Sequence, residues 1–143
     1  MPKLIVIAAC EKVIVDKQGP PSLISIFQRM NIQLQDVPLP EGAVAPMRWA
    51  VFTLWQYTPE DKNGMEFTQR SEVIGPLGTL FATSDVKFTI SNIDDLQSNV
   101  FVDILGIPVQ VEGLVKIRVW LNEMPTQVGE YFFTIKHHSK VNP

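Results

Sequence analysis

The sequence predicts an all-β protein: an antiparallel β-sandwich of about seven to eight strands, with a small closed β-barrel as the alternative. Three observations carry that expectation. Apolar and polar residues alternate with a period of two along most of the chain. Clusters rich in Gly, Pro, Asn and Asp interrupt the alternation. No stretch repeats apolar residues at the spacing of an amphipathic helix. The chain has 143 residues, which suits one domain, 1–143, with one core.

The opening, "MPKLIVIAACEKVIVD", reads as the first strand. Leu4, Val6, Ala8 and Cys10 face one way, and Ile5, Ile7 and Ala9 the other. Both sets are apolar, as in a strand covered on both sides. The same letters hold Ile7-Ala8-Ala9-Cys10, the small-residue pattern that precedes a lipidated Cys. Only Lys3 is basic there, and the apolar stretch from Leu4 to Ala9 is shorter than the roughly 7–15 residues of a secretory signal. The strand reading is preferred, and with it a cytoplasmic location.

"DKQGPPS" is a turn, in which Gly19 supplies unusual φ and Pro20-Pro21 stop ladder pairing. "SLISIFQRMNIQ" then reads as one extended segment forming a hairpin with the first strand. "DVPLPEGAVAP" is a loop long enough to cross between sheets. In "MRWAVFTLWQY", Met47, Trp49, Val51, Thr53, Trp55 and Tyr57 share one face. Asn63-Gly64 follows as a hairpin signal. "EFTQRSEV" carries more charge and is placed nearer an edge. "DVKFTISN" turns Val86, Phe88 and Ile90 inward. "VFVDILGIPVQVEG" is β-branched and broken by Gly106 and Pro108. "LVKIRVWLNE" and "EYFFTIKHH" form a final pair: Val115, Ile117, Val119 and Leu121 oppose Lys116, Arg118 and Trp120, and Tyr131, Phe133 and Ile135 oppose Phe132, Thr134 and Lys136.

"ACEKVIVD" at 9–16, followed by "SLISIF" at 22–27 after a Gly/Pro turn, resembles the opening of a small bacterial family catalogued only as a domain of unknown function. Its Trp-bearing strand and its closing G-x-V-x-I-x-V and aromatic strands are matched here by "MRWAVFTLW", "GLVKIRVWL" and "EYFFTIKHH". The resemblance implies a bacterial or phage-related origin and a β-sandwich. It carries over no catalytic or binding residue.

Charged residues make up 19 % of the chain and the net charge is −3. The charge fraction is below the typical ~25 %, which suits a buried interface with a protein partner or with a second copy. The acidic balance argues against a nucleic-acid binder, which needs a basic face. No apolar run approaches the ~18–20 residues of a membrane helix. A single Cys forms no internal disulfide, and Cys10 in a strand reads as a small buried hydrophobe.

The chemistry-bearing residues are few. His137 and His138 are adjacent on one strand, so they face opposite ways and lack a nucleophile. With one distant Cys they do not make a zinc site. Asp94, Asp95 and Asp103 are weighed as a calcium loop, but the Asp-x-Asp-x-Asp-Gly spacing is missing. No metal and no cofactor is expected. The aromatic set is the remaining candidate. Trp49, Trp55 and Tyr57 share a face, which is either core or, if exposed, a platform for sugar rings. Trp120, between Lys116, Arg118 and Asn122, is placed on the outer face as a partner or ligand contact. The leading expectation is a non-enzymatic interaction or assembly module. A carbohydrate-binding module is second and a small hydrolase third.

Overall fold

The computed structural model describes residues 1–15, 21–34 and 38–139, the side chains of residues 102 and 103 excepted. The turn cluster at 16–20 lies outside the described residues. Those described form nine strands: β1 (Lys3–Ile14), β2 (Ser22–Ile26), β3 (Arg29–Gln33), β4 (Val44–Gln56), β5 (Glu66–Ile74), β6 (Leu80–Thr89), β7 (Leu96–Pro108), β8 (Gly113–Leu121) and β9 (Gly129–His138). Among the described residues no helix is long and apolar enough to cross a membrane. Sheet A has the order β2-β1-β4-β7 and sheet B the order β3-β9-β8-β5-β6. The fold is a β-sandwich, as the alternation predicts.

The opening letters form β1, flanked by β2 and β4. A bulge between Leu4 and Val6 shifts the register. It resets the alternation, so Leu4 does not share a face with Val6, Ala8 and Cys10. Leu4, Ile7 and Ala9 join the core between the sheets. The Cα partners Val6 and Leu54, Ala8 and Phe52, and Cys10 and Ala50 point outward.

The segment "SLISIFQRMNIQ" is two strands rather than one. β2 pairs antiparallel with β1 in sheet A, whereas β3 pairs parallel with β9 in sheet B. The chain changes sheet at Phe27, whose ring is 5 % exposed. Its N–H donates to the Ala9 carbonyl at 2.8 Å, and its own carbonyl accepts from the Tyr131 hydroxyl. The crossing is thereby tied to both sheets. It also makes the only parallel pair among the described strands.

Two further expectations are corrected. Asn63-Gly64 does form a turn, with Gly64 at φ +88°, but β4 and β5 lie in different sheets, so the turn is a corner rather than a hairpin. β5 is internal, between β8 and β6. Its charges mark an outer face and not an edge: Arg70 and Glu72 pair with each other there at 2.7 Å. The β8–β9 pairing and the inward Phe88 and Ile90 are as expected.

Candidate functional site

On β8, strict alternation leaves Val115, Ile117, Val119 and Leu121 without exposure. Lys116, Arg118 and Trp120 are turned to the outer face of sheet B and are half-buried. Trp120 is the Cα partner of Arg70 on β5, which lies across the middle of the sheet. The Arg70 Cζ sits 6.0 Å from the Trp120 ring centroid, within cation–π range. Arg118 pairs with Glu130 at 3.2 Å. A hydrogen bond from Gln127 at 3.1 Å and the Arg118 partnership hold the Glu130 carboxyl below its usual range against the effect of burial. Lys116 is the Cα partner of Phe132, which is 56 % exposed. Arg70 could not be paired with Trp120 from sequence, because pairing between distant strands has no local signature.

Trp120→Ala is therefore expected to cost on the order of 1 kcal/mol, as at surface sites. Val119→Ala should cost roughly 1–3 kcal/mol from lost burial and a partial cavity. Denaturant melts of the two variants check the order, and the reverse order would place Trp120 in the core.

Of the other aromatic candidates, Trp49 and Trp55 are not at the surface. Trp49 and Trp55 are 1 % and 0 % exposed, so neither is a contact for a partner or a platform for a sugar. Trp49 packs against Phe27 and Phe133 at centroid distances of 5.7 and 5.6 Å, and its indole N–H donates to the Gly106 carbonyl at 2.6 Å. Tyr57 is half-buried, with its hydroxyl donating to Gln97 Oε1 at 3.3 Å. Burial pushes this phenol up, and the nearby Asp61 and Asp95 charges add to the effect.

Between the sheets lies a polar layer that the sequence reading missed. Gln69 Oε1 accepts from Thr53 Oγ1 at 2.7 Å, Trp55 Nε1 at 2.8 Å and Asn99 Nδ2 at 2.9 Å. Gln69 Nε2 donates to Ser71 Oγ at 2.9 Å. Thr53, Gln69, Ser71 and Asn99 are all buried. The signal was present: Gln69 and Ser71 alternate in phase with Phe67 and Val73, and an inward polar residue must find a partner. The layer joins β4 and β7 to β5 and contains no ionisable group, so it offers no acid or base.

Asp61 was also missed. It is 2 % exposed, and its Oδ2 accepts from the Thr58 amide at 2.7 Å and hydroxyl at 3.1 Å. Its Oδ1 lies 3.0 Å from the N-terminal ammonium. Burial pushes the carboxyl up, but the Thr58 bonds and the ammonium outweigh it and hold the group below its usual value. A depressed folded-state value adds stability above the usual carboxylate range and loses it as the pH falls through the folded value. Asp61→Asn is expected to cost about 1–2 kcal/mol at pH 7, since bonds to a charged group are the stronger kind. The gap between variant and wild type should close in melts at strongly acidic pH. An unchanged gap would mean the carboxylate charge is not what stabilises the corner.

The remaining candidates have structural partners. His137 Nε2 lies 2.7 Å from the Val109 carbonyl, and its backbone N–H donates to Glu112 at 2.6 Å. His138 Nε2 lies 2.8 Å from Asn31 Oδ1. Asp94 and Asp95 sit in an exposed turn where their amides bond Asn92; the Asp103 side chain is outside the described residues. Among the described residues no group of three or more His, Cys, Asp or Glu is placed to hold a metal ion. Cys10 is buried and its thiol is pushed up by that burial, which keeps it unreactive. Compared with known proteins, the chain matches no family model and no curated relative.

Proposed function

We propose that this chain is a non-catalytic interaction or assembly module of bacterial or phage-related origin, and that the outer face of sheet A docks a second copy of the same chain. The contrast between the two outer faces supports the reading. Sheet B turns out Arg70, Glu72, Arg118 and Glu130, paired with one another. Sheet A turns out rows of apolar side chains. Val6 sits beside Leu54, Ala8 beside Phe52, and Phe52 in turn beside Val100. Cys10 has Ala50 on one side and Ile26 on the other. On this face Val6 at 37 %, Ile24 at 40 %, Ile14 at 45 % and Ile26 at 51 % meet solvent, whereas Ala8, Cys10, Ala50 and Phe52 are buried within the chain.

Charge on this face, among the described side chains, comes from Lys3 near one end and from Lys12 and Arg48 toward the other. Exposed apolar side chains with cations at the ends of the strands have the anatomy of a protein interface. Lys keeps its head in water at such a rim while its stem covers apolar surface. A second sheet A laid on it would stack as sheets A and B already do, about 10 Å apart. A two-fold axis makes one patch its own complement.

Light scattering after size exclusion tests this. The wild-type mass should exceed the 16.1 kDa of one chain, and Ile26→Lys and Val6→Lys should bring it down to that value with the fold intact. A wild-type monomer at every concentration, or a mass unmoved by both variants, would sink the proposal. A drop on Trp120→Ala alone would move the interface to sheet B.

A further inference from the structure

The outer face of sheet B holds a depression of about 680 Å³ at Trp120, away from the face proposed for self-association. Three strands build its floor. Asp85 on β6, Arg70 on β5 and Trp120 on β8 are successive Cα partners, so a carboxylate, a guanidinium and an indole stand in one row across the sheet. Arg70 is fixed between Glu72, at 2.7 Å, and the indole ring. Asn122 closes one end. Its backbone is at φ +55°, its N–H donates to the Thr68 carbonyl at 2.7 Å, and its Oδ1 accepts from the Thr68 N–H at 3.0 Å. The amide is thereby held, and its Nδ2 has two N–H donors with no partner among the described residues. Asp85 and Glu123, both lining the depression, make no hydrogen bond or ion pair among the described residues.

We propose that this depression binds a neutral saccharide. The half-buried indole carries Arg70 over its ring, and the apolar ring surface that Arg70 leaves uncovered takes the C–H face of a sugar ring. The fixed Asn122 amide and Arg70 donate, and Asp85 and Glu123 accept, which matches hydroxyl groups that do both. One apolar wall with a few convergent polar groups is the usual build of a small-molecule site. Anionic ligands are disfavoured, because Glu72, Asp85 and Glu123 repel phosphate and sulfate. A simple cation would leave the Asn122 and Arg70 donors unused. The Trp49–Trp55 face, buried in the core, plays no part.

Affinity electrophoresis of the whole chain through gels containing neutral polysaccharides (a glucan, a mannan, a galactan, a xylan and a chitin derivative) tests the proposal. At least one should retard the wild type. Trp120→Ala and Asp85→Ala should each weaken that retardation tenfold or more while circular dichroism shows both folded at the temperature of the gel, and Phe132→Ala, elsewhere on the same face, should leave it intact. Failure of every polysaccharide to retard the wild type overturns the proposal, as does retardation that survives both Trp120→Ala and Asp85→Ala. Neither outcome depends on the oligomeric mass, so the two proposals stand or fall separately.

Discussion

Gln69→Met is expected to lose roughly 3–6 kcal/mol of folding stability, much of the 5–15 kcal/mol typical of a domain. The side chain is of similar size, so little of the loss comes from a cavity. It comes from three donors aimed at one oxygen. An orphaned buried donor costs about 1–3 kcal/mol. Thr53 has a second acceptor, the Asn99 carbonyl at 3.5 Å, but Trp55 Nε1 has no other hydrogen bond among the described residues, and neither does Asn99 Nδ2. Trp55→Phe is the contrasting variant. It removes one donor and leaves Oε1 two others, so it should cost only about 1–2 kcal/mol, the bond together with a little packing. Urea titrations with comparable m-values check the pair. Equal losses would mean that the Trp55 bond alone stabilises the layer and that the Thr53 and Asn99 donors contribute nothing through Oε1.

Trp49→Ala is expected to cost about 3–5 kcal/mol from the cavity alone. It also strips the Gly106 carbonyl of its indole donor at 2.6 Å. That carbonyl is not free to turn elsewhere: Gly106 has φ +81°, and a Cβ there would meet Val44 Cβ at 3.0 Å, so backbone and indole are fitted to each other. Phe27 and Phe133 lose their shared neighbour as well. Near-UV circular dichroism should lose its aromatic fine structure at temperatures where Trp120→Ala keeps it. A folded Trp49→Ala with wild-type stability would contradict the core described above.

What the sequence made legible was local. On β8 the alternation from Val115 to Leu121 places every side chain on the face where it is found, because period two is set by the backbone of a single strand. The outward Trp120 followed from the same rule. What escaped was set by pairing between distant strands. The charges of β5 suggested an edge, yet they are compatible with the centre of a sheet once Arg70 and Glu72 face water together. "SLISIFQRMNIQ" gave no sign of its break, since the change of sheet at Phe27 is fixed by the Ala9 carbonyl and the Tyr131 hydroxyl. One inserted residue, the bulge at Leu4 and Val6, moved the following side chains of β1 to the opposite face from Leu4. The Gln69 layer needs two sheets before it exists at all.

The parallel pairing of β3 with β9 sets the tempo at which the molecule can form. Phe27 and Tyr131 are 104 residues apart in the chain, so β3 finds its partner in sheet B only after β9 exists. Non-local closure of this kind places folding on the scale of milliseconds to seconds. During synthesis, at about 5–20 residues per second, the wait is longer still, roughly 5–20 s. Throughout it β3 is an unpaired strand trailing from the finished β1–β2 hairpin. Its composition suits that exposure: Arg29, Asn31 and Gln33 alternate with Met30 and Ile32, so no run of apolar residues is presented to a neighbouring nascent chain.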